Sequence, residues 1–201
     1  MRSILFIIFF FSIAFSQAQS FNAGLQFGMT GTQVTGDQLS GFNKAGLFGG
    51  AFVNHSAGRL GDFQLELNFI QKGSRKNAHP DKGDNKSYLM RLNYVALPVF
   101  YKFKIKKTLS IELGVEFAYL INSKEFEDKV LMTFQGLADF KKYDLSGFAG
   151  LGVNFKSNFR FVFRYSYSIL PIRPKPNSGA ITYYDAGQFN EVLIASIQYQ
   201  F

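Results

Sequence analysis

Cysteine and tryptophan are absent from the 201 residues, and histidine occurs only as His55 and His79. The lack of cysteine excludes disulfides, thiolate metal sites and a thiol nucleophile. No His, Asp and Glu residues cluster with the spacing of metal ligands. We therefore predict no catalytic residue, no metal and no cofactor. A Ser-His-acid site assembled from distant strands stays open as a lipid-modifying alternative.

Long apolar runs are also missing, except at the N-terminus. Arg2 precedes an apolar stretch at residues 4–15, and Ser16-Gln17-Ala18 forms a small-x-small triplet. These roughly twelve apolar residues are too few to cross about 30 Å of hydrocarbon as a helix. We predict a cleaved signal peptide at residues 1–18. Residues 19–201 then form one exported domain without a transmembrane helix.

Helical spacing of apolar residues is nearly absent, and alternation with a period of two replaces it. The alternation is clear at residues 62–69, 109–121, 159–168 and 193–201, and weaker at 21–29, 43–54, 88–103 and 143–155. These segments predict an all-β fold of eight strands. Apolar residues occupy both faces of 88–103, so its faces are not assigned. Pro98 has no N–H to donate, which predicts a bulge or irregularity there.

The predicted connections alternate between long and short. The long ones are 30–42, 73–87, 122–142 and 169–190, and the short ones are 55–61, 104–108 and 156–158. Antiparallel membrane barrels have tight periplasmic turns and longer external loops. An even strand number then places both termini in the periplasm, His55 in a periplasmic turn and His79 in an external loop. Residues 130–134 either extend the barrel or form a short helix.

One face of each strand is rich in Phe, Leu and Tyr and must be covered by lipid or by a protein core. The opposite faces carry Gly, Ala, Ser, Asn and Gln with few lysines, which suits a narrow filled lumen. Aromatic residues near strand ends are typical of girdles at the head-group level. An eight-stranded antiparallel up-and-down transmembrane barrel is favoured over a soluble lipocalin-like barrel. The girdle residues are Tyr119, Tyr165, Tyr167, Tyr199 and Phe201.

Charged residues on the polar faces are predicted to line the lumen. An arginine at mid-depth on the lipid face costs about 2 to 4 kcal/mol, so Arg164 is expected inside. Isolated charges in a tight lumen are also costly, so Arg164 is expected to pair with at least one glutamate. This network is a structural filling, with an ion or proton path as the alternative. Its predicted members are Glu66, Glu112, Glu116, Asp144, Arg160 and Arg164.

The net charge of +8 comes mostly from lysines and arginines in predicted turns and loops. Attraction to anionic outer-membrane lipid is therefore expected, whereas nucleic acid is not an expected partner of an exported chain. The favoured function is a structural or interaction barrel whose external loops meet an unidentified surface or periplasmic protein. A narrow channel is the alternative.

Several motifs resemble the PorT-like, porin-family outer-membrane β-barrel domain over nearly the whole mature chain. They include Glu66-Leu67-Asn68-Phe69, Gln71-Lys72-Gly73, Leu92-Asn93-Tyr94 with Pro98, Gly114, Tyr119-Leu120, Asp144 with Gly150 and Gly152, Arg164-Tyr165 and the terminal Tyr199-Gln200-Phe201. Two positions depart from the family pattern, since Ala96 stands where Glu is common and Phe69 where Tyr is common.

The resemblance implies a location and no reaction. It implies that Phe201 is the signal read by the barrel-assembly machinery during insertion into the outer membrane. Some members of this family are tied to protein secretion, so a component of a secretion apparatus is a further alternative.

Overall fold

A computed structural model of the chain describes residues 21–131, 138–155, 158–174 and 187–201. The signal peptide predicted at residues 1–18 lies outside the described residues, so its removal stays a prediction. Within the described ranges, no helix is long and apolar enough to cross a membrane.

Nine strands and one short 3-10 helix form from the described residues. The helix lies in the connection after the third strand. The elements are β1 (Phe21–Thr35), β2 (Lys44–Ser56), β3 (Gly61–Lys76), the 3-10 helix (Pro80–Lys82), β4 (Tyr88–Lys104), β5 (Leu109–Glu127), β6 (Val130–Leu131), β7 (Tyr143–Asn154), β8 (Phe159–Ser168) and β9 (Phe189–Gln200).

Eight of these strands close into an antiparallel barrel in which each strand pairs with its neighbours along the chain. β1 pairs with β2 on one side and with the last strand, β9, on the other, from Gly24 opposite Gln200 to Thr35 opposite Phe189. The pairing of β4 with β5 completes the ring. The two-residue β6 pairs with the end of β5 and lies outside the ring. The predicted eight-stranded up-and-down barrel is confirmed.

Side chains alternate between the lumen and the outer surface along each strand, as the pleat requires. Leu65, Leu113 and Phe161 point outward and are 41%, 50% and 44% exposed. Glu66 and Arg164 point inward and are 0% and 3% exposed. An apolar exterior around a charged interior is the arrangement of a membrane barrel. The soluble-barrel alternative requires the reverse and is wrong.

The two ends of the barrel differ in the length of their connections. Both Phe21 and Phe201 lie at one end, called the terminal end, together with the short connections 57–60 and 105–108 and with Phe155 and Asn158 between β7 and β8. The opposite end, called the loop end, carries the longer connections after β1, β3, β5 and β8. His55, which the sequence predicted in a turn, instead lies in β2, and its ring packs 5.1 Å from that of Phe21.

Strands β3, β4 and β5 extend beyond the rest of the barrel at the loop end. β7 begins at Tyr143, opposite Tyr119, whereas β5 continues to Glu127. These eight further residues amount to about 25 Å of strand. Residues 73–76, 88–93 and 120–131 are called the ridge. The first part of the predicted 122–142 loop is therefore strand. Val130–Leu131 extends the sheet, and the rest of the 130–134 segment lies outside the described residues.

The even-numbered residues of β4 from 90 to 102 face the lumen, which settles the faces of this strand. Opposite Pro98 the ladder with β3 is interrupted. Leu65 pairs with Val99, and the ladder resumes with Asn68 opposite Ala96 in unchanged register. The gap between these pairs arises because proline cannot donate the ladder hydrogen bond. The register shift in β4 lies elsewhere, at residues 93–94 against β5.

Aromatic side chains surround the outer surface near both ends. The five predicted girdle residues all point outward. At the loop end the rings of Tyr119 and Tyr143 pack 5.5 Å apart, and at the terminal end those of Phe159 and Tyr199 pack 4.8 Å apart. Such pairs place amphipathic rings where a membrane barrel meets the head groups.

Candidate functional site

An arginine held between two carboxylates occupies the centre of the lumen. Both terminal nitrogens of Arg164 lie 2.7 Å from the carboxylate oxygens of Glu66. The Nε of Arg164 lies 2.6 Å from Oε2 of Glu112. The planar guanidinium matches a carboxylate through two parallel hydrogen bonds. These three residues are called the central cluster.

The closure of the barrel brings the central cluster together from distant parts of the chain. Glu66 lies on β3 and Arg164 on β8, four positions apart in the ring of eight strands, so their ion pair crosses the lumen. Gly150 is paired with Arg164 in register, and an added Cβ there would lie 2.7 Å from Cγ of the arginine. The side chain of Arg164 fits here because Gly150 has no Cβ.

Phenyl rings flank the central guanidinium and exclude water from it. The carbon of the Arg164 guanidinium lies 4.6 Å from the ring centroid of Phe100 and 5.2 Å from that of Phe148. A cation over an aromatic face is stabilised by the ring quadrupole, most strongly where water is excluded.

Side-chain amides satisfy the remaining acceptors of Glu66. Gln26, Gln64 and Asn68 donate hydrogen bonds of 2.7, 2.8 and 2.8 Å to its carboxylate. A buried charge is tolerated when it is both paired and hydrogen-bonded. The carboxylate is therefore fixed in one position and is not free to move with an ion through the lumen.

A second charged group, called the upper cluster, lies nearer the loop end. Nζ of Lys72 lies 2.8 Å from Glu116 and 2.9 Å from Asp144, and the lysine is fully buried. Asp144 also accepts hydrogen bonds from Ser168 and Asn190, at 2.7 and 2.9 Å. Lys72 thus contacts both carboxylates, and the layer keeps one net negative charge.

The predicted network does not include Lys72, although a signal for it exists. Lys72 has the same parity as Glu66 along β3 and continues the lumen-facing alternation. Two inward carboxylates, Glu116 and Asp144, require a cation, and Lys72 is the residue that supplies it. The sequence does not show that these three residues meet, because their contact depends on how the barrel closes.

Arg160 forms the next charged layer toward the terminal end. Its Nη1 lies 2.6 Å from Oε1 of Glu112, and its Nη2 donates a 2.6 Å hydrogen bond to Ser110. Gly152 faces the same guanidinium, since an added Cβ would lie 1.9 Å from Nη2. Glu112 thus joins Arg160 to Arg164, and Arg164 links both to Glu66.

An apolar cap closes the lumen at the loop end. The connection after β8 turns inward, so Ile172 is fully buried. The next residue, Arg173, forms an ion pair of 2.7 Å with Glu125 and lies 3.7 Å from the ring centroid of Phe140. Ile172 packs in a buried cluster with apolar lumen residues that include Val34, Met90, Leu92, Leu120 and Val192.

Asp37, in the connection after β1, lies beside this cap. One of its carboxylate oxygens is buried without a hydrogen-bond partner among the described residues. The other accepts a 2.9 Å hydrogen bond from the backbone N–H of Leu39. Burial raises the pKa of Asp37, and repulsion by Glu125 adds to the rise. Ionisation of Asp37 therefore opposes the folded arrangement of the cap.

All six residues predicted for the charge network lie in the lumen. Arg164 pairs with Glu66 and Glu112, whereas Glu116 and Asp144 pair with Lys72. Arg160 shares Glu112. Phe201 is 69% exposed at the terminal end, and its backbone N–H donates a 2.9 Å hydrogen bond to the carbonyl of Ala23. Its role as an assembly signal stays a prediction.

This arrangement fills the lumen with ion-paired and hydrogen-bonded side chains. In the described part of the chain, no three His, Asp or Glu side chains come together to hold a metal ion. His55 packs near the terminal end, and His79 lies in the connection after β3, where its backbone bonds to Asp84. Lys72, Arg160 and Arg164 are each bound to carboxylates.

The closed ring of eight antiparallel strands, with its apolar exterior and charged interior, defines an outer-membrane β-barrel. The chain belongs to the family described as the outer membrane protein beta-barrel domain, whose model matches residues 15–173. No curated protein matches the chain.

Two solved structures have a similar fold. The crystal structure of Neisserial surface protein A covers 89% of this chain and 97% of its own, with 12% identity and a TM-score of 0.56. That of Ail, the attachment invasion locus protein of Yersinia pestis, covers 90% of this chain and 98% of its own, with 15% identity and a TM-score of 0.49.

Proposed function

We propose that this protein is a closed outer-membrane barrel that acts as an interaction protein, with its loop end outside the cell and both termini in the periplasm. The filled lumen carries this proposal. The central cluster, the upper cluster and the apolar cap block the axis at three successive levels. An eight-stranded barrel has an interior just wide enough for such side chains.

The ridge supports a binding role for the loop end. It carries four exposed basic residues, three on its strands and one in the turn between β5 and β6, and Arg91 is directly opposite Lys124 in the ladder. Like charges directly opposite each other are destabilising. An anionic partner surface would remove this repulsion. The four residues are Arg75, Arg91, Lys124 and Lys129.

Conductance separates this proposal from the narrow-channel alternative, which draws on the charged side chains that line the lumen. Purified protein, shown to be folded by heat-dependent gel mobility, is added to a planar bilayer. No unit currents are expected, because each layer is closed by paired side chains. Reproducible single-channel steps would remove the closed-barrel proposal.

The lack of native cysteine permits a direct test of orientation. Lys129→Cys places one thiol at the loop end, and Arg59→Cys places one in a turn at the terminal end. A membrane-impermeant maleimide added to intact cells is expected to label Lys129→Cys alone. Labelling of Arg59→Cys alone would reverse the proposed orientation.

The partner-binding role is tested by photo-cross-linking from Lys129→Cys in intact cells. A cross-linked product is expected, and Arg91→Glu with Lys124→Glu should abolish it. Lys106→Glu with Lys107→Glu makes the same charge change at the terminal end and should leave it unchanged. A product that survives both pairs of substitutions would argue against the basic ridge as the binding surface.

The resemblance to PorT-like proteins adds a role in protein secretion as a further candidate. The family match supports an outer-membrane barrel but does not distinguish the PorT-like subgroup. Loss of a secreted protein from the medium of a deletion strain, restored by the wild-type gene, would favour the secretion role.

A further inference from the structure

The lumen opens at the terminal end into a cavity of about 540 Å³. This size is within the range of small-molecule sites. It lies below the central cluster, at the opposite end of the barrel from the ridge. The cavity is called the vestibule, and its charged lining residues are Arg59, Asp62, Lys102, Lys104, Lys106, Lys107 and Arg160.

The vestibule has a large excess of positive charge. Asp62 is the one acidic residue among the described lining residues, against six cations. It already binds two of them, since its carboxylate lies 3.1 Å from Nζ of Lys102 and 2.5 Å from Nζ of Lys104. Concave sites lined by charge of one sign concentrate ions of the opposite sign.

The deepest part of the vestibule is lined by a guanidinium and amides that are hydrogen-bonded to one another, since Arg160 donates a 3.1 Å bond to Gln198 and Asn54 a 3.1 Å bond to Gln200. Arg160 lies there with a side chain that is only 9% exposed, and its Nε is buried without a hydrogen-bond partner among the described residues. Three side-chain amides line the same space, that of Asn54 on β2 and those of Gln198 and Gln200 on β9. A guanidinium and amides together form a polar site for phosphate or carboxylate oxygens.

We propose that the vestibule binds a small multivalent anion that carries phosphate or carboxylate groups. The charge excess supplies attraction, and Arg160 with the amides supplies directed contacts. Arg160, Asn54 and Gln198 all project into the lumen, so the site is reached along the barrel axis and not from the lipid-facing surface. The ligand is therefore a dissolved anion and not a lipid head group. This inference goes beyond the proposed binding role of the loop end.

Citrate and inorganic pyrophosphate are the probes for this site. The folded full chain in neutral detergent is titrated with each by calorimetry at constant ionic strength, with chloride as the control anion. Saturable binding of both probes, and none of chloride, is expected. If neither probe binds, or if chloride at equal ionic strength abolishes their binding, the proposal is overturned.

Matched charge variants locate the binding. Arg59→Gln, Lys106→Gln and Lys107→Gln together remove three exposed cations of the vestibule, and the dissociation constant for citrate is expected to rise about tenfold because three weak ion pairs are lost. Arg91→Gln, Lys124→Gln and Lys129→Gln remove the same charge at the loop end and should change it by less than about twofold. Equal weakening by both triple variants would show non-specific attraction and would overturn the proposal.

Two further measurements do not depend on those variants. Asp62→Asn frees the ammonium groups of Lys102 and Lys104 and should tighten citrate binding, whereas a structural role alone gives no tightening. In wild-type protein, citrate should shift the NMR signals of the side-chain amides of Asn54, Gln198 and Gln200. Shifts confined to other residues would show that citrate does not bind in the vestibule. Displacement of citrate by anionic phospholipid in nanodiscs would contradict the inference that the ligand is a dissolved anion.

Discussion

Arg164 of β8 binds Glu66 of β3 across the full width of the lumen, with two hydrogen bonds of 2.7 Å between residues 98 positions apart in the chain. Neither side chain has an alternative partner outside the lumen, because both are almost completely buried. The barrel must therefore be closed for either charge to be compensated. This pair couples the packing of the interior to the closure of the sheet.

Replacement of Arg164 tests how strongly this pair stabilises the barrel. Arg164→Met leaves Glu66 and Glu112 as buried charges that have lost a partner, and such a loss costs about 3 to 5 kcal/mol. Guanidinium unfolding in detergent micelles measures the change. Arg91→Met removes an exposed arginine from the ridge and should change stability by less than about 0.5 kcal/mol. Equal effects of the two variants would contradict the prediction.

Lys72 and Lys76 give a matched pair on one strand. Lys72→Met leaves Glu116 and Asp144 buried without their cation, so a loss of about 3 kcal/mol or more is expected. Lys76→Met breaks an exposed ion pair with Asp84, which is worth at most about 1 kcal/mol. The same unfolding measurement separates them. A smaller loss at Lys72 than at Lys76 would show that the upper cluster does not stabilise the fold.

Leu113 tests the lipid-facing surface. Leu113→Arg puts a charge at mid-depth on the outside of β5 and should cost about 2 to 4 kcal/mol in lipid bilayers. Leu60→Arg makes the same change in a turn at the terminal end, where Leu60 is 77% exposed, and should be nearly neutral. Urea-dependent folding into lipid vesicles measures both. A neutral Leu113→Arg would mean that this face does not contact hydrocarbon.

Asp37 predicts a pH dependence of the loop-end cap. Its pKa in the folded protein is raised above the ordinary value of 3.8, so the folded state binds the proton more tightly than the unfolded state. The contribution of Asp37 to stability is then fully present below about pH 4 and is lost as the pH rises through the raised pKa. Asp37→Asn should therefore be more stable than wild type at pH 7, with the difference vanishing at low pH.

Thermal midpoints of the folded band, measured by gel mobility between pH 3.5 and pH 8, would show this effect. Asp81→Asn, in an exposed position in the connection after β3, is the control and should show no such trend. A pH-independent gain in Asp37→Asn would mean that ionisation of the carboxylate is not its cause.

Much of the charged lumen follows from local sequence. The parity of Glu66, Glu112 and Arg164 relative to their apolar neighbours is enough to place them inside, because a strand turns successive side chains to opposite faces. Parity does not specify which charges meet. The pairing of Lys72 with Asp144 depends on strands that are 72 residues apart, and so on the closure and stagger of the whole ring.

The loop end likewise combines features that local sequence predicts with features that depend on the closed barrel. Proline, glycine and charge mark its long connections in the sequence, yet the ridge and the inward turn at Ile172 have no local signal. Ile172 is an apolar residue in a polar connection, and it is buried because Val34, Leu92 and Val192 form an apolar surface at the open end of the lumen. That surface exists only after strands from both ends of the chain have come together.

The sequence by itself determined the strand type, the strand number, the alternation of long and short connections and, in every strand except β4, the face of the sheet that meets lipid. Each follows from the side-chain period or from turn composition, which act over a few residues. Tertiary structure alone decided which charges pair, how far the ridge extends, how the cap closes the lumen and where a vestibule remains open. Those features depend on contacts between strands distant in the chain, and only the register of the closed barrel sets them.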